Sequence, residues 1–476
     1  MTRTEDLIKF KEIVLDSVSP SVCSAKWLEA TIWLYDGVTA SCHHNPSHKI
    51  QLNPNDPSSL HDTAQKINER KAMLAGENHY GCNYCWDTEK SGSVSDRYKK
   101  SFSHKADLFG LKHLFDLRNI LTTDSKKYID SVFSNPNKSS LLHLEIAFSR
   151  VCNLGCMYCG PYYSNTWAND IRINGPYNVN PENKWDTRFE DPLLHIKDEA
   201  DNPYIKAFFD WWPILKSTLK TLRFTGGEPF LHMGMWKFLE EVVVDDSYVG
   251  KVVINSNLIH DSKIICKFID LIKTTSNVRQ YEIHTSCESS LSDAEFIRDG
   301  FDGQLWWNNV NLLLEELPSL KLTVTTAINN ISIWSYDEYI EMILQLRAKY
   351  GKNRINLNCN RVFNPTYQSV NIIDYDNRML LSKMIEYSIL KLESHNLYNK
   401  HDLDQLHSLI QYLQQLNIST FAYSSNKSQE DFMRSQEEKS LLKFLSEYKN
   451  RRNKTEETLS QGFKDWIKSV RDRHEE

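Results

Sequence analysis

The 476-residue chain has no apolar run of the ~18 residues that would cross a bilayer. Its N-terminus, MTRTEDLIKFKEIVLDSV, breaks each apolar stretch with charge, so a secretory signal is not expected and a cytoplasmic address follows. A basic excess is also missing. Lys plus Arg number 56 against 62 Asp plus Glu, a net charge of −6, which argues against a protein that lives by gripping nucleic-acid phosphates. Internal repeats and long low-complexity tracts are absent. Cysteine is sparse over the last two thirds, where only Cys266, Cys287 and Cys359 occur, well separated.

What is present is enough to fold. Hydrophobic residues make up 40% and aromatics 11%, with a mean hydropathy of −0.52, and the length suits two to three domains. The other seven cysteines crowd the first third: Cys23, Cys42, Cys82, Cys85, Cys152, Cys156 and Cys159. In a reducing compartment such clustering points to metal or redox chemistry rather than to disulfides.

A polar segment, 1–135, ends at SNPNKSS (134–140), a punctuated boundary before a strand-like run. From there LLHLEIAF (141–148), TLRFT (221–225), KVVIN (251–255), YEIHTS (281–286), KLTVTTAI (321–328) and INLNC (355–359) read as strands. MWKFLEEVV (235–243), DSKIICKFIDLI (261–272), NNVNLLLEEL (308–317) and DEYIEMILQLRAK (337–349) carry helical apolar spacing between them. The alternation predicts an α/β protein with a parallel sheet over 140–375, and a helical extension over 376–476. An insertion after the first strand holds Trp167 and Trp185 and a helix, NPYIKAFFDWWPIL, with Trp211 and Trp212. These rings suit a substrate wall or, more ordinarily, a core cap. Leu441, Leu442, Leu445 and Tyr448 fall on one helical face, and the charged tail from Asn426 reads as a solvated helical extension.

Two constellations carry chemistry. Cys152, Cys156 and Cys159 form C-x3-C-x2-C in RVCNLGCMYCG, just past the first strand. Three soft thiolates on one loop suit three corners of an iron–sulfur cluster and leave one iron open. A zinc site with these ligands would lack its usual fourth. The second strand ends in FTGGEPF (224–230), where paired glycines allow close backbone approach and Glu228 can accept from an ammonium group.

Cys152–Cys156–Cys159 with aromatic Tyr158, followed by Gly226-Gly227-Glu228-Pro229, resembles the radical S-adenosylmethionine enzymes. The resemblance implies a [4Fe–4S] cluster on the three cysteines, with the cofactor's amino and carboxylate groups on the fourth iron. It implies reductive cleavage to a 5′-deoxyadenosyl radical that abstracts hydrogen from substrate, with Gly226 to Pro229 meeting the cofactor's amino group. Ser256 and Asn257, in NSN after the third strand, match a polar strand end near the cofactor, and Ser286 and Glu288 match positions near its ribose or carboxylate. The fold implied is a partial (β/α)6 barrel, and the electron donor a flavodoxin or ferredoxin.

Cys23, Cys42, Cys82 and Cys85 make the second constellation. WLYDGVTASC reads as a hairpin whose returning strand presents Cys42, and GCNYC as a tight knuckle. Four thiolates can enclose a second iron–sulfur cluster or a zinc ion, and His43, His44 and His79 stand near enough in sequence to substitute. G-x4-C followed by C-x2-C is similar to the twitch domain, the shortened relative of the SPASM auxiliary-cluster domain, here placed before the barrel. Such relatives act on peptides and proteins or on small molecules such as aminocyclitols. The insertion and extension favour a peptide or protein side chain, with small-molecule or nucleoside oxidation and a non-catalytic scaffold as alternatives. Cys266 and Cys359 are expected in the core, and Cys287 at the active face.

Overall fold

A computed structural model describes residues 3–90, 92–109, 124–179, 202–245, 247–275, 280–415 and 427–474, so Trp185 lies outside the described residues. Among them the strands are, in chain order, β1 (Glu29–Trp33), β2 (Val38–Ala40), β3 (His48–Lys49), β4 (His143–Ala147), β5 (Gly155–Cys156), β6 (Thr221–Thr225), β7 (Lys251–Asn255), β8 (Tyr281–Ser286), β9 (Arg298–Asp299), β10 (Lys321–Ile328) and β11 (Ile355–Arg361). The six strands read from alternation are β4, β6, β7, β8, β10 and β11. The four helices read between them run Met233–Val244, Ser262–Lys273, Gly303–Glu316 and Tyr336–Tyr350. The class is mixed α/β.

The chain forms two compact units, one built chiefly from Met1–Ser149 and Ile196–Val253, the other from Arg150–His195, Ile254–Ser276 and Gln280–Glu476. In the first unit β4 pairs parallel with both β6 and β1, and β1 turns into antiparallel β2 at Gly37, whose φ of 63° suits glycine. Leu144, Ile146, Leu222, Phe224, Ala30 and Ile32 are buried on one face of these strands, where Phe148, Phe208, Phe224 and Phe238 cluster. The alternate positions, Glu29, His143, Glu145, Arg223 and Thr225, are polar and half-buried. A parallel sheet sealed on both faces would read as continuous apolar runs, so one face here is kept for something polar.

The helix Pro203–Leu215 starts at Asn202, whose side chain accepts from the N–H groups of Tyr204 and Ile205, with proline at its first position. It buries Phe208, Trp211 and Trp212, and Trp167 is fully buried in the second unit, so the described tryptophans of the insertion are core residues. Two further helices shape the first unit's cysteine region: α1 (Asn83–Lys90) and α2 (Asp96–Phe109).

In the second unit β10 lies between β8 and β11, parallel to both. One of its faces is again polar. Thr323 donates to Glu282 at 2.8 Å, and His284 pairs with the same carboxylate at 2.8 Å. The helix α3 (Leu291–Ile297) runs into β9, which pairs antiparallel with β5.

The tail departs from the solvated extension expected of it. In α4 (Lys427–Arg452) Leu441, Phe444, Leu445 and Tyr448 are buried, as are Phe463, Trp466 and Ile467 in the helix Gln461–His474. The charges around this stripe are paired: Arg452 and Arg451 with Asp170, Arg471 with Glu456, Arg473 with Glu438. Cys266 is exposed rather than core, because Ile265, Phe268, Ile269 and Ile272 take the buried face of its helix and leave it a turn-angle away. Cys359 is half-buried against the Tyr336 hydroxyl at 2.8 Å, and Cys287 is fully buried.

Candidate metal centres

The loop Cys152–Cys159 is held by its own backbone partners within the second unit. The Cys152 N–H donates to Asn165 Oδ1 at 2.8 Å, and its carbonyl accepts from Thr166 at 2.6 Å. The Cys156 carbonyl accepts from Trp167 Nε1 at 2.8 Å, and the Met157 carbonyl from Gln368 at 2.9 Å. Met157 N–H donates to the Ile297 carbonyl, and Tyr448 of α4 bonds the Phe296 carbonyl at 3.1 Å. None of the three cysteines is in a disulfide; Cys156 is buried and the other two are half-buried.

Tyr158 and Glu288 meet each other. The Tyr158 hydroxyl donates to Glu288 Oε1 at 2.6 Å, and both Glu288 oxygens accept from Arg298, at 2.6 and 2.8 Å. Arg298, absent from the sequence reading, also donates to the Tyr158 oxygen at 2.6 Å and to Cys156 Sγ at 3.4 Å. Burial pushes the Cys156 thiol up while Arg298 pulls it down; the same burial holds the Tyr158 phenol well above its usual range. Asn257 donates to Asn153 Oδ1 at 2.8 Å, tying the segment after β7 to the cysteine loop, and Ser256 accepts from the Leu258 N–H. Ser286 ends β8 opposite Thr325, half-buried.

The GGEP segment follows β6 in the first unit. Gly226 has φ 127°, and a Cβ there would lie 2.4 Å from the Ser149 carbonyl oxygen, so no other residue fits. The Gly227 N–H donates to that same carbonyl at 3.1 Å. Glu228 is buried, and its Oε1 accepts from the Phe230 N–H at 3.2 Å as the cap of a short turn opened by Pro229.

The four N-terminal cysteines come together. Cys23, Cys42, Cys82 and Cys85 line one pocket of about 400 Å³, counting its open mouth, with Lys26, His44, Asp96, Arg97 and Lys100. Each thiol arrives differently: Cys23 just before a helical turn, Cys42 two residues past β2, Cys82 from a 3-10 turn and Cys85 from the first turn of α1. Burial lifts the Cys82 thiol to about 11, with Lys26 opposing and Cys42 and Cys85 adding to it; burial, then Cys82 and Cys42, push the Cys23 thiol up as well. Metal binding must therefore displace protons that these thiols hold firmly. His44 reaches the pocket, bonded to Asp96 at 2.8 Å and stacked on Tyr84. His43 and His79 do not line it, and His79 instead accepts from the Gly81 N–H. Among the described residues, His43, His44 and Asp96 are the one trio of such donor atoms within 4.8 Å of one another.

Both donor sets fit iron–sulfur chemistry: cysteines outside any disulfide, partly or fully buried, with cations beside them.

No family model matches the chain, and no curated protein does. Three solved structures are similar in part. Hexahistidine-tagged anSMEcpe with bound AdoMet is 14% identical at a TM-score of 0.35, covering 53% of this chain and 59% of that one. Native anSMEcpe with bound AdoMet and Kp18Cys peptide is 14% identical at 0.32, covering 51% and 59%. Streptococcus suis SuiB bound to precursor peptide SuiA is 13% identical at 0.35, covering 79% and 70%. The chain thus spans 59% of the length of the first two.

Proposed function

We propose that the protein is a radical S-adenosylmethionine enzyme with an auxiliary iron–sulfur cluster. The observation that carries this reading is the C-x3-C-x2-C loop, three cysteines on one backbone-clamped loop with a buried guanidinium donating to the middle sulfur. Cys152, Cys156 and Cys159 would hold the first cluster, and Gly226 to Pro229 would meet the cofactor's amino group. When bound, cluster and cofactor supply a 5′-deoxyadenosyl radical able to take hydrogen from an unactivated C–H bond.

The chain's own residues do the rest. Gly226 and Gly227 fold the segment back onto the Ser149 carbonyl, which fixes where Glu228 stands. Cys23, Cys42, Cys82 and Cys85 would hold the auxiliary cluster, with Lys26, Arg97 and Lys100 offsetting the negative charge of four thiolates. Each unit keeps a polar strand face, Glu29, Glu145 and Arg223 in one and Glu282, His284 and Asn356 in the other, and a partial-barrel fold belongs to the same proposal. In this reading residues 1–135 form the twitch-like module, 140–375 the barrel and 376–476 the extension. A flavodoxin- or ferredoxin-type reductant and a cytoplasmic setting belong to the same proposal. The described tryptophans of the insertion are core residues and the tail helices bury their apolar face, so neither argues for a peptide, and the substrate is defined only as a donor of a C–H hydrogen.

The test is iron content and electron paramagnetic resonance of anaerobically reconstituted, reduced protein, with and without S-adenosylmethionine, beside an assay for 5′-deoxyadenosine. About eight irons with one of two signals moved by the cofactor supports both clusters. About four irons plus zinc makes the N-terminal site structural, and no cofactor-sensitive signal overturns the reading.

A further inference from the structure

We propose that Arg298 is the positioning residue that sets the reduction potential of a cluster on Cys152, Cys156 and Cys159, through its hydrogen bond to the Cys156 sulfur. This rests on the reading of the loop given above.

The placement follows from backbone pairing. β9 opposes β5 antiparallel with Arg298 directly across from Cys156, so the two side chains leave the ladder on the same side. Arg298 is almost wholly buried, at 7% exposure, and Glu288 is fully buried. A buried charge persists only when it is paired and hydrogen-bonded, and Glu288 meets that need with two parallel bonds, Nε to Oε2 at 2.6 Å and Nη2 to Oε1 at 2.8 Å. Tyr158 then closes the triad, donating to Glu288 Oε1 and accepting from Nη2. With Nε and Nη2 committed, the fork has no rotational freedom left, and Nη1 is aimed at Cys156 Sγ at 3.4 Å.

The arrangement has a chemical direction. A neutral thiol gives a buried guanidinium little in return, whereas a metal-bound thiolate accepts a charge-assisted hydrogen bond. Hydrogen bonds to the sulfurs of an iron–sulfur cluster are among the levers that set its potential, and a donor with positive charge favours the reduced, more negative state. Arg298 therefore eases the one-electron reduction that must precede cofactor cleavage. Tyr158 and Glu288, which the motif resemblance assigns to the cofactor, serve in this proposal to hold Arg298.

The experiment is a redox titration of reconstituted holoenzyme, followed by the cofactor-sensitive paramagnetic signal and read beside iron content. Arg298→Met alone would strand a buried Glu288 carboxylate, so the variant is R298M/E288M, which removes the pair together. Its ratio of reduced to oxidised cluster at fixed ambient potential should fall at least tenfold, a midpoint about 59 mV more negative for one electron, with iron retained. R298K keeps the charge but not the fork, and should show a smaller shift in the same direction even if the double variant fails to fold. A signal that is present and unshifted in R298K and R298M/E288M overturns the role of Arg298 alone. If the unmodified protein has no cofactor-sensitive signal, the reading of the loop fails, and this inference with it.

Discussion

At Cys156 two influences oppose each other: burial keeps the proton on sulfur, while Arg298 favours the thiolate. A metal settles the contest by taking the proton's place. Cys156→Ala should therefore abolish 5′-deoxyadenosine formation while iron at the N-terminal set remains, and cleavage that survives would remove Cys156 from the cluster. Glu228 is argued differently, because it both caps the Phe230 N–H and is the candidate partner of an ammonium group. Glu228→Gln can keep the cap and lose the charge. A charge-assisted bond contributes ~1.5–3 kcal/mol, so cofactor affinity measured by calorimetry should fall roughly 10- to 100-fold with iron content unchanged. Equal affinity would detach GGEP from the cofactor.

His61 gives a residue-scale prediction about pH. Its ring is fully buried between the Lys66 ammonium at 3.2 Å and the Arg70 guanidinium at 2.9 Å. Burial first, then those two cations, hold its pKa well below the usual histidine range. The unfolded chain takes up a proton near pH 6.5 that the folded chain refuses, so stability is whole above that pH and declines as pH falls below it. His61→Gln removes this share. Its melting temperature should drop less steeply between pH 7 and pH 5 than that of the parent protein, and parallel slopes would count against the assignment.

At the scale of elements, the cysteine loop is clamped from three directions: the helix Asn165–Asn174 through Asn165, Thr166 and Trp167, β9 through its ladder, and α4 through Tyr448. The last clamp makes the tail part of the site's frame. Phe444 is fully buried, stacked on Tyr448 at 5.4 Å and set against Tyr367 and Tyr177. Phe444→Ala should cost ~3–5 kcal/mol in denaturant unfolding, as large-to-small changes in a packed core do. A loss under 1 kcal/mol would mean that α4 rests on the unit without supporting it.

These elements also mark what could be read from sequence. β4, β6, β8, β10 and β11 were legible because their apolar residues alternate, and the cysteine loop because its spacing is short and local. Arg298 was not legible. Its role depends on a two-residue ladder joining positions 142 apart in the chain, and no local pattern encodes such a pairing. In the tail the apolar face of Leu441, Leu445 and Tyr448 was legible from its helical spacing; the pairing of the charges around it was not, because their partners, Asp170 and Asp299 among them, are far away in sequence. The four-cysteine pocket falls between these cases, since the thiols were visible while Lys26, Arg97 and Lys100 beside them were not.

At the scale of the molecule, each cysteine set is built within its own compact unit, by supports that belong to that unit. The first set leans on the helical turn Ala25–Leu28 and on α2 through Lys26, Arg97 and Lys100; the second on β9 and α4 through Arg298 and Tyr448. Sites with no shared partners should fail separately. Cys23→Ala should therefore bring iron from about eight to about four per chain and leave the signal that responds to S-adenosylmethionine, while Cys156→Ala should lose that signal and keep the other. If the first set holds zinc, Cys23→Ala loses about one zinc and no iron. Should either substitution instead empty both sites, the two sets depend on one another for assembly, and the chain works as a single two-cluster device.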